Sequence, residues 1–277
     1  TGTTSYLPTL CSSPRDRYAA ALDRVRDARG RADGARIDGV HLEGPFLSPK
    51  RVGAHDPAYI AAPDVAFLER LLALGPVTHV TVAPEEPGGL DLVSILAGRG
   101  VTVAIGHSDA DAATANAAFD RGARVVTHLY NAQRPFSARD PGIIGAALTR
   151  EDVTVSLILD GVHVAREAVL LAWRAAPGRF AIVTDAIEAA GRPDGRYVIG
   201  DRRIVVADAL ERGDLTRKMT RSYQGAFEQV QQITTRRTRR RSGARHGHVQ
   251  SIGAGTGRAL PVRGAAPTVT KIALHPA

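Results

Sequence analysis

The sequence predicts an α/β fold, a TIM (β/α)8 barrel that lacks its first strand. From residue 4 to residue 185, seven short β-rich runs alternate with helical patterns, which is typical of successive βα units around a parallel sheet. Polar residues suited to catalysis fall at the ends of these otherwise apolar strands, where barrel enzymes carry their active sites. No glycine-rich phosphate loop follows the first strand, which disfavours the alternative of a doubly wound open sheet.

The predicted elements follow in chain order. The strands are Thr4–Pro8, Ile37–Glu43, Val77–Ala83, Val101–Gly106, Arg124–Leu129, Val153–Leu159 and Phe180–Thr184. Ser13 and Ser108 are the expected N-caps of the helices that follow the first and fourth strands. Further helices are expected from Val65, over Ala165–Ala176 and over Phe227–Ile233, and a hairpin is expected from Tyr197–Ile199 with Arg203–Ala207.

Length and composition bound the kind of protein. The chain has 277 residues, 44% of them hydrophobic, and no apolar run approaches the 18 residues of a membrane span. Its single cysteine, Cys11, excludes internal disulfides and thiolate zinc clusters. With no leader-like pattern after Thr1, we expect a cytoplasmic protein with no membrane partner.

The net charge of +8 comes from the end of the chain. Residues 212–277 contain 13 Lys or Arg and only two acids, and none of the 49 residues after Glu228 is acidic. We therefore expect residues 1–210 to form the barrel, and residues 211–277 to form a degenerate basic tail that is disordered or translated from a shifted reading frame. A nucleic-acid-binding tail is the alternative, although its arginines have no interleaved aromatic residues, so we do not expect a nucleic-acid partner.

Two histidines and a glutamate stand out at the strand ends. Glu43 precedes Gly-Pro, His107 follows Ile105-Gly106, and His128 follows Val126-Thr127. A single strand-end histidine is more often a hydrogen-bonded core residue, but a pair with a carboxylate nearby has the composition of a catalytic zinc site that leaves a position for water.

Two further carboxylates follow the last two strands. Asp160-Gly161 could form an ordinary turn, as could Thr184-Asp185. Asp185, however, follows the apolar run Phe180–Val183, which would deliver a lone carboxylate to the end of the barrel where the metal site is predicted. Such a group can take a proton from water and later donate it to a leaving amine.

Five ordered motifs resemble the N-acetylglucosamine-6-phosphate deacetylase family of the amidohydrolase superfamily. They are His41–Phe46, Gly106–Ala110, Thr127–Ala132, Asp160–His163 and Val183–Ala186. The resemblance implies a hydrolase that removes acetate from N-acetyl-D-glucosamine 6-phosphate in amino-sugar catabolism. It implies that Glu43, His107 and His128 bind one divalent metal per chain, zinc or else iron. It also implies that Asp185 is the catalytic acid/base.

The same resemblance implies the substrate-binding residues. These are Ala54, His55, Asn131, Ala132, Arg139, Asp160, Gly161, Val162 and His163. Members of the family are typically homodimers, in which an arginine matching Arg139 reaches the phosphate bound by the other subunit. The substrate is a phosphorylated amino sugar, so His163 and Arg139 are expected to hold its phosphate by charge-assisted hydrogen bonds.

The sequence also departs from the family pattern. Family members begin with a small β-domain and a first barrel strand that carries His-x-His or its substitute, and neither precedes Thr1. Their substrate-closing loop resembles Gly-Thr-Leu-Ala-Gly-Ser, and residues 213–218 match it poorly. A barrel without one strand would leave two open sheet edges, so a catalytically impaired fragment is an alternative interpretation.

Overall fold

A curled parallel sheet surrounded by helices is the architecture of the computed structural model, which describes residues 5–31, 34–187, 189, 193–199, 202–206 and 270–274. The strands are β1 (Ser5–Cys11), β2 (Arg36–Ile37), β3 (Val40–Glu43), β4 (Val77–Val82), β5 (Thr102–Ile105), β6 (Val125–Val126), β7 (Thr154–Ile158), β8 (Phe180–Val183), β9 (Ala186–Ile187), β10 (Gly195–Ile199), β11 (Arg202–Val206) and β12 (Thr270–Leu274). The α-helices are α1 (Arg17–Arg29), α2 (Val65–Leu74), α3 (Gly89–Gly98), α4 (Ala112–Asp120), α5 (Gly142–Thr149) and α6 (Arg166–Ala175).

The sheet confirms the α/β barrel class. Its strands pair in parallel in the order β8-β7-β6-β5-β4-β3-β1-β12-β9, and β2 pairs with the start of β1. Every predicted strand is present, and six of the seven pair with the next one along the chain. This order is what successive βα units produce, because each helix returns the chain to the same end of the sheet.

The expected open edge of β1 is not open. Tyr6 to Leu10 of β1 pair with Thr270–Leu274 of β12, and β12 pairs in turn with β9. Because only Thr184 and Asp185 separate β8 from β9, the two ends of the sheet lie next to each other. The unpaired N–H and C=O groups of an edge strand favour the addition of a further strand, and the end of the chain supplies it.

The predicted boundary at residue 210 stays a prediction. Residues 207–269, with the expected helix Phe227–Ile233, lie outside the described residues. The expected hairpin is confirmed as β10 paired with β11.

Two predicted helix caps are wrong. α1 begins at Arg17, and its N-cap is Asp16 rather than Ser13, whose hydroxyl donates to the carbonyl of Cys11. α4 begins at Ala112, and its N-cap Asp111 accepts a hydrogen bond from the amide of Thr114. Ser108 lies four residues before that helix, and its hydroxyl donates to Glu85 instead.

Two helices were not predicted. α3 begins and ends at glycines, and it buries Leu92, Val93 and Leu96. α5 is a short, almost fully buried helix of eight residues without a polar face. α5 has no apolar and polar alternation for periodicity to detect, and the glycines that bound α3 weaken its helical signal.

A hydrogen-bonded polar chain crosses the sheet below the candidate site. His41 Nδ1 lies 3.1 Å from Thr9 Oγ1, His41 Nε2 lies 2.8 Å from Thr81 Oγ1, and Thr81 Oγ1 lies 2.8 Å from Thr127 Oγ1. All four side chains belong to buried residues. Since each polar atom has a partner, the network ties β1, β3 and β4 to the residue that precedes His128.

None of the helices in the described part of the chain is long and apolar enough to cross a membrane.

Candidate active site

The candidate residues meet at one end of the barrel because they hold the same position relative to their strands. Glu43 is the last residue of β3. His107, His128, Asp160 and Asp185 each lie two residues beyond the end of β5, β6, β7 and β8, respectively. The carboxyl ends of parallel strands share one edge, so the predicted site residues lie around the C-terminal mouth of the barrel.

Three of these residues have an unusual backbone. His107, His128 and Asp185 have φ values of 47°, 31° and 52°. Non-glycine residues rarely occupy this left-handed region, and each costs of order 1–3 kcal/mol. Such conformations concentrate at functional sites, where the surrounding structure holds them in place.

Glu43, His107 and His128 converge on one point. Glu43 Oε1 lies 3.2 Å from His128 Nε2 and 3.3 Å from His107 Nε2, and the two Nε2 atoms are 3.0 Å apart. All three residues are at least 95% buried. Four-coordinate zinc with ligands at ~2.0–2.1 Å places neighbouring ligand atoms about 3.3 Å apart, so these separations fit a single ion.

The tautomer of His107 also fits a metal ligand. Its Nδ1 lies 3.0 Å from the carbonyl oxygen of Arg51, which can only accept a hydrogen bond. Nδ1 therefore carries the proton, and Nε2 directs a lone pair at Glu43 and His128. Gly53 permits this approach, because a Cβ at that position would lie 2.9 Å from Cε1 of His107.

A bound cation would explain why these atoms lie so close together. One proton on His128 Nε2 can face Glu43 or His107, but it cannot satisfy both neighbours fully. A divalent ion satisfies the carboxylate and both imidazoles at once. The donor set of two nitrogens and one oxygen therefore fits zinc or iron without a thiolate.

A second group of ligating atoms lies on the other side of Glu43. Glu43 Oε2 is 3.8 Å from both the Sγ of Cys11 and the Nε2 of His55. The amide of Ser12 donates to Nδ1 of His55 at 3.3 Å, which leaves the proton of the neutral ring on Nε2. His55 therefore presents a hydrogen-bond donor to the site, and this arrangement does not fit a second ion there.

Asp160 and His163 form a tight turn beyond β7. Asp160 Oδ1 accepts the amides of Val162 and His163 at 2.9 and 2.8 Å, and its Oδ2 lies 2.5 Å from His163 Nδ1. Burial acts to raise the pKa of Asp160, but these hydrogen bonds outweigh it and hold that pKa below its ordinary value. The ionised carboxylate fixes the ring of His163 and leaves Nε2 for another partner.

The other predicted residues lie on loops at the same end of the barrel. Ala54 precedes the buried His55, and Asn131 and Ala132 follow His128 in a turn that is half-buried. Arg139 is exposed on the loop before α5. Asp185 is half-buried between β8 and β9.

Sequence reasoning missed Glu85, which supports the loop of His107. Its carboxylate accepts the hydroxyl of Ser108 at 2.5 Å and also the amide of Asp109. Asp109 in turn binds Arg51 at 2.6 Å, the residue whose carbonyl orients His107. The signal was present, because Glu85 lies three residues after β4 and so obeys the strand-end rule.

An α/β barrel with two imidazoles and a carboxylate at its C-terminal mouth is the architecture of a metal-dependent amidohydrolase. No family model matches the chain. The sequence relatives are more specific. The chain is 39% identical over 212 residues to an N-acetylglucosamine-6-phosphate deacetylase of Danio rerio. The matched residues make up 73% of this chain and 52% of the relative. A deacetylase of the same name from Lysinibacillus sphaericus is 37% identical over 241 residues, 84% of this chain and 62% of the relative.

Solved structures agree with the sequence relatives. A mutant N-acetyl-D-glucosamine-6-phosphate deacetylase from Mycobacterium smegmatis, in complex with N-acetyl-D-glucosamine-6-phosphate, superimposes with a TM-score of 0.71 at 37% identity, over 75% of this chain and 55% of that one. The N-acetylglucosamine-6-phosphate deacetylase from Thermotoga maritima superimposes with a TM-score of 0.72 at 32% identity, over 84% of this chain and 64% of that one. The chain is homologous to N-acetylglucosamine-6-phosphate deacetylases, and it spans between half and two thirds of their length.

Proposed function

We propose that the chain hydrolyses the acetamido group of N-acetyl-D-glucosamine 6-phosphate to give D-glucosamine 6-phosphate and acetate. The observation that carries this proposal is the convergence of Glu43 Oε1, His107 Nε2 and His128 Nε2 within 3.3 Å of one another. The named activity of the sequence relatives supports the choice of reaction. The sugar phosphate bound in the Mycobacterium smegmatis complex supports the choice of substrate.

Glu43, His107 and His128 would hold one divalent cation, zinc in preference to iron. When bound, such an ion acts as a Lewis acid that polarises an amide carbonyl and lowers the pKa of water. His107 is oriented for this role by the carbonyl of Arg51. Orientation of a ligating imidazole by its other nitrogen is the usual arrangement around protein metal sites.

Asp185 would move the proton in the reaction. Its carboxylate would take a proton from the attacking water and pass it to the nitrogen of the departing amino sugar. Its left-handed backbone, held between β8 and β9, supports the assignment because such conformations concentrate at functional sites.

His55 would bind the substrate through its Nε2–H. The Ser12 amide fixes this tautomer, and the ring lies beside the metal-ligand cluster. A donor at this position suits an oxygen acceptor of the sugar or of its acetamido group. Ala54, Asn131, Ala132, Gly161 and Val162 would complete the walls of the substrate site.

His163 and Arg139 would recognise the phosphate. Asp160 holds His163 through Nδ1, so Nε2 can donate to a phosphate oxygen. Arg139 is exposed, and on our proposal it reaches the phosphate bound by a second copy of the chain. The proposal therefore includes a homodimer, which sedimentation at several concentrations would test.

We place this reaction in the cytoplasm. The single cysteine, Cys11, is free and buried, so the chain has no internal disulfide that would need an oxidising compartment. The alternative of a nucleic-acid-binding protein finds no support among the relatives. Residues 211–269 of the predicted basic tail lie outside the described residues, and residues 270–274 form β12.

Acetate release tests the proposal. The full chain should liberate acetate from N-acetyl-D-glucosamine 6-phosphate after zinc loading, and a chelator should abolish the activity. Zinc binding without acetate release would favour the catalytically impaired fragment. Equal hydrolysis of an N-acetylated amino acid would point to a different amidohydrolase.

A further inference from the structure

The turn that follows β6 has the least usual backbone in the described structure. His128, Tyr130 and Ala132 have φ values of 31°, 79° and 48°, and they are three of the five non-glycine residues with positive φ in the described ranges. A turn of this kind needs stabilising contacts from other residues, because each of these three residues prefers another backbone conformation. Since it carries one of the two imidazoles of the metal cluster, whatever holds it also sets the position of His128 Nε2.

The side chain of Gln133 spans this turn. Its Nε2 donates to the carbonyl of Thr127 at 2.9 Å, and its Oε1 accepts the amide of Tyr130 at 3.3 Å. One partner is an acceptor and the other a donor, so together they fix the orientation of the side-chain amide. Gln133 is 95% buried, and its two partners flank His128 on either side.

The backbone around Gln133 joins the loops of both imidazoles. The amide of Ser108 donates to the carbonyl of Ala132, and the amide of Arg134 donates to the carbonyl of Ser108, at 3.3 and 3.2 Å. Ser108 directly follows His107 and is itself fixed by Glu85. Gln133 thus stands where the two histidine loops are tied together.

We propose that Gln133 is a positioning residue that sets the affinity of the cluster for its divalent cation. The inference rests on the proposed metal site of Glu43, His107 and His128. Loss of the Gln133 amide would leave the Thr127 carbonyl and the Tyr130 N–H without this buried partner. The turn would then relax, and His128 Nε2 would leave the geometry in which all three ligand atoms face one ion.

Zinc affinity of the full chain, measured by competition with a chromogenic chelator, tests this role. Gln133→Leu keeps the side chain's bulk and removes both hydrogen bonds, and we expect its dissociation constant for zinc to rise about 10- to 100-fold. Asn116→Leu is the matched control, since it removes a side-chain amide that donates to a backbone carbonyl on α4, away from the cluster. It should leave the zinc affinity unchanged.

Cobalt gives a second readout that a purely structural role would not change. With Co²⁺ in place of zinc, the ligand-field absorption of Gln133→Leu should shift relative to that of the parent, whereas that of Asn116→Leu should not. If Gln133→Leu does not fold, the milder Gln133→Asn, which is too short to span the turn, should still weaken zinc binding several-fold.

The outcomes separate this inference from the proposed function. If the parent chain binds no zinc, or if His128→Ala leaves zinc binding unchanged, the proposed metal site is refuted. If the parent chain binds zinc through His128, but folded Gln133 variants keep the same zinc affinity and cobalt spectrum, only the proposed role of Gln133 is overturned.

Discussion

The rings of His55 and His107 lie 4.5 Å apart and use their Nδ1 atoms in opposite ways. His107 Nδ1 donates to the carbonyl of Arg51, whereas His55 Nδ1 accepts the amide of Ser12. Their Nε2 atoms therefore present a lone pair and a proton, respectively, to the two oxygens of Glu43. The backbone partners of Nδ1 therefore give the two neighbouring rings opposite tautomers, which is consistent with the different roles that we propose for them.

Asp185→Asn should keep the metal and lose the reaction. The amide cannot take a proton from water, and loss of general acid/base help lowers turnover by ~10² to 10⁴. Acetate release and zinc content are measured on the same sample. Asp120→Asn, on the exposed end of α4, serves as the control. Near-normal turnover of Asp185→Asn would show that Asp185 takes no part in the mechanism.

His163→Ala and Arg139→Ala should each raise KM for the phosphorylated substrate about 10- to 100-fold, with little change in kcat. The reason is the loss of a charge-assisted hydrogen bond to phosphate, worth ~1.5–3 kcal/mol. Non-phosphorylated N-acetylglucosamine should be affected little by either change. Arg99→Ala, at the end of α3, is a matched arginine control. An equal effect on both substrates would contradict the assignment.

Stability should depend on pH through Asp160. Its pKa is lower in the folded chain than the ordinary value of about 3.9, so its contribution to stability is present above that value and is lost as the pH falls. Asp160→Asn should therefore melt below the parent at pH 7, and the difference should shrink between about pH 5 and pH 3. A difference in Tm that stays constant over this range would show that Asp160 is not stabilised in its ionised form.

Ile272→Pro should destabilise the barrel. Ile272 pairs with both Pro8 of β1 and Ala186 of β9, and proline removes its backbone N–H. A loss of ~2 kcal/mol would lower Tm by roughly 4–8 °C, whereas Ile272→Val should change it little. Equal melting of the two variants would show that β12 does not stabilise the barrel.

The strands and the strand-end positions of Glu43, His107 and His128 were predictable from the sequence because their signals are local. Apolar runs bounded by turn residues mark each strand, and Glu43, His107 and His128 stand at their ends. β12 was not predictable, since its partner Tyr6 lies more than 260 residues from Thr270 in the sequence. The hydrogen bonds of Gln133 were hidden for a related reason, because they depend on a left-handed turn that composition does not reveal.

Metal analysis of the purified full chain tests the central claim most directly. We predict about one zinc or iron ion per parent chain, and a loss of most of that metal in a folded His107→Ala variant, because the cluster would keep only Glu43 and His128. Metal content that is the same in the parent and in His107→Ala, or a folded parent that retains neither metal after loading, would contradict the account.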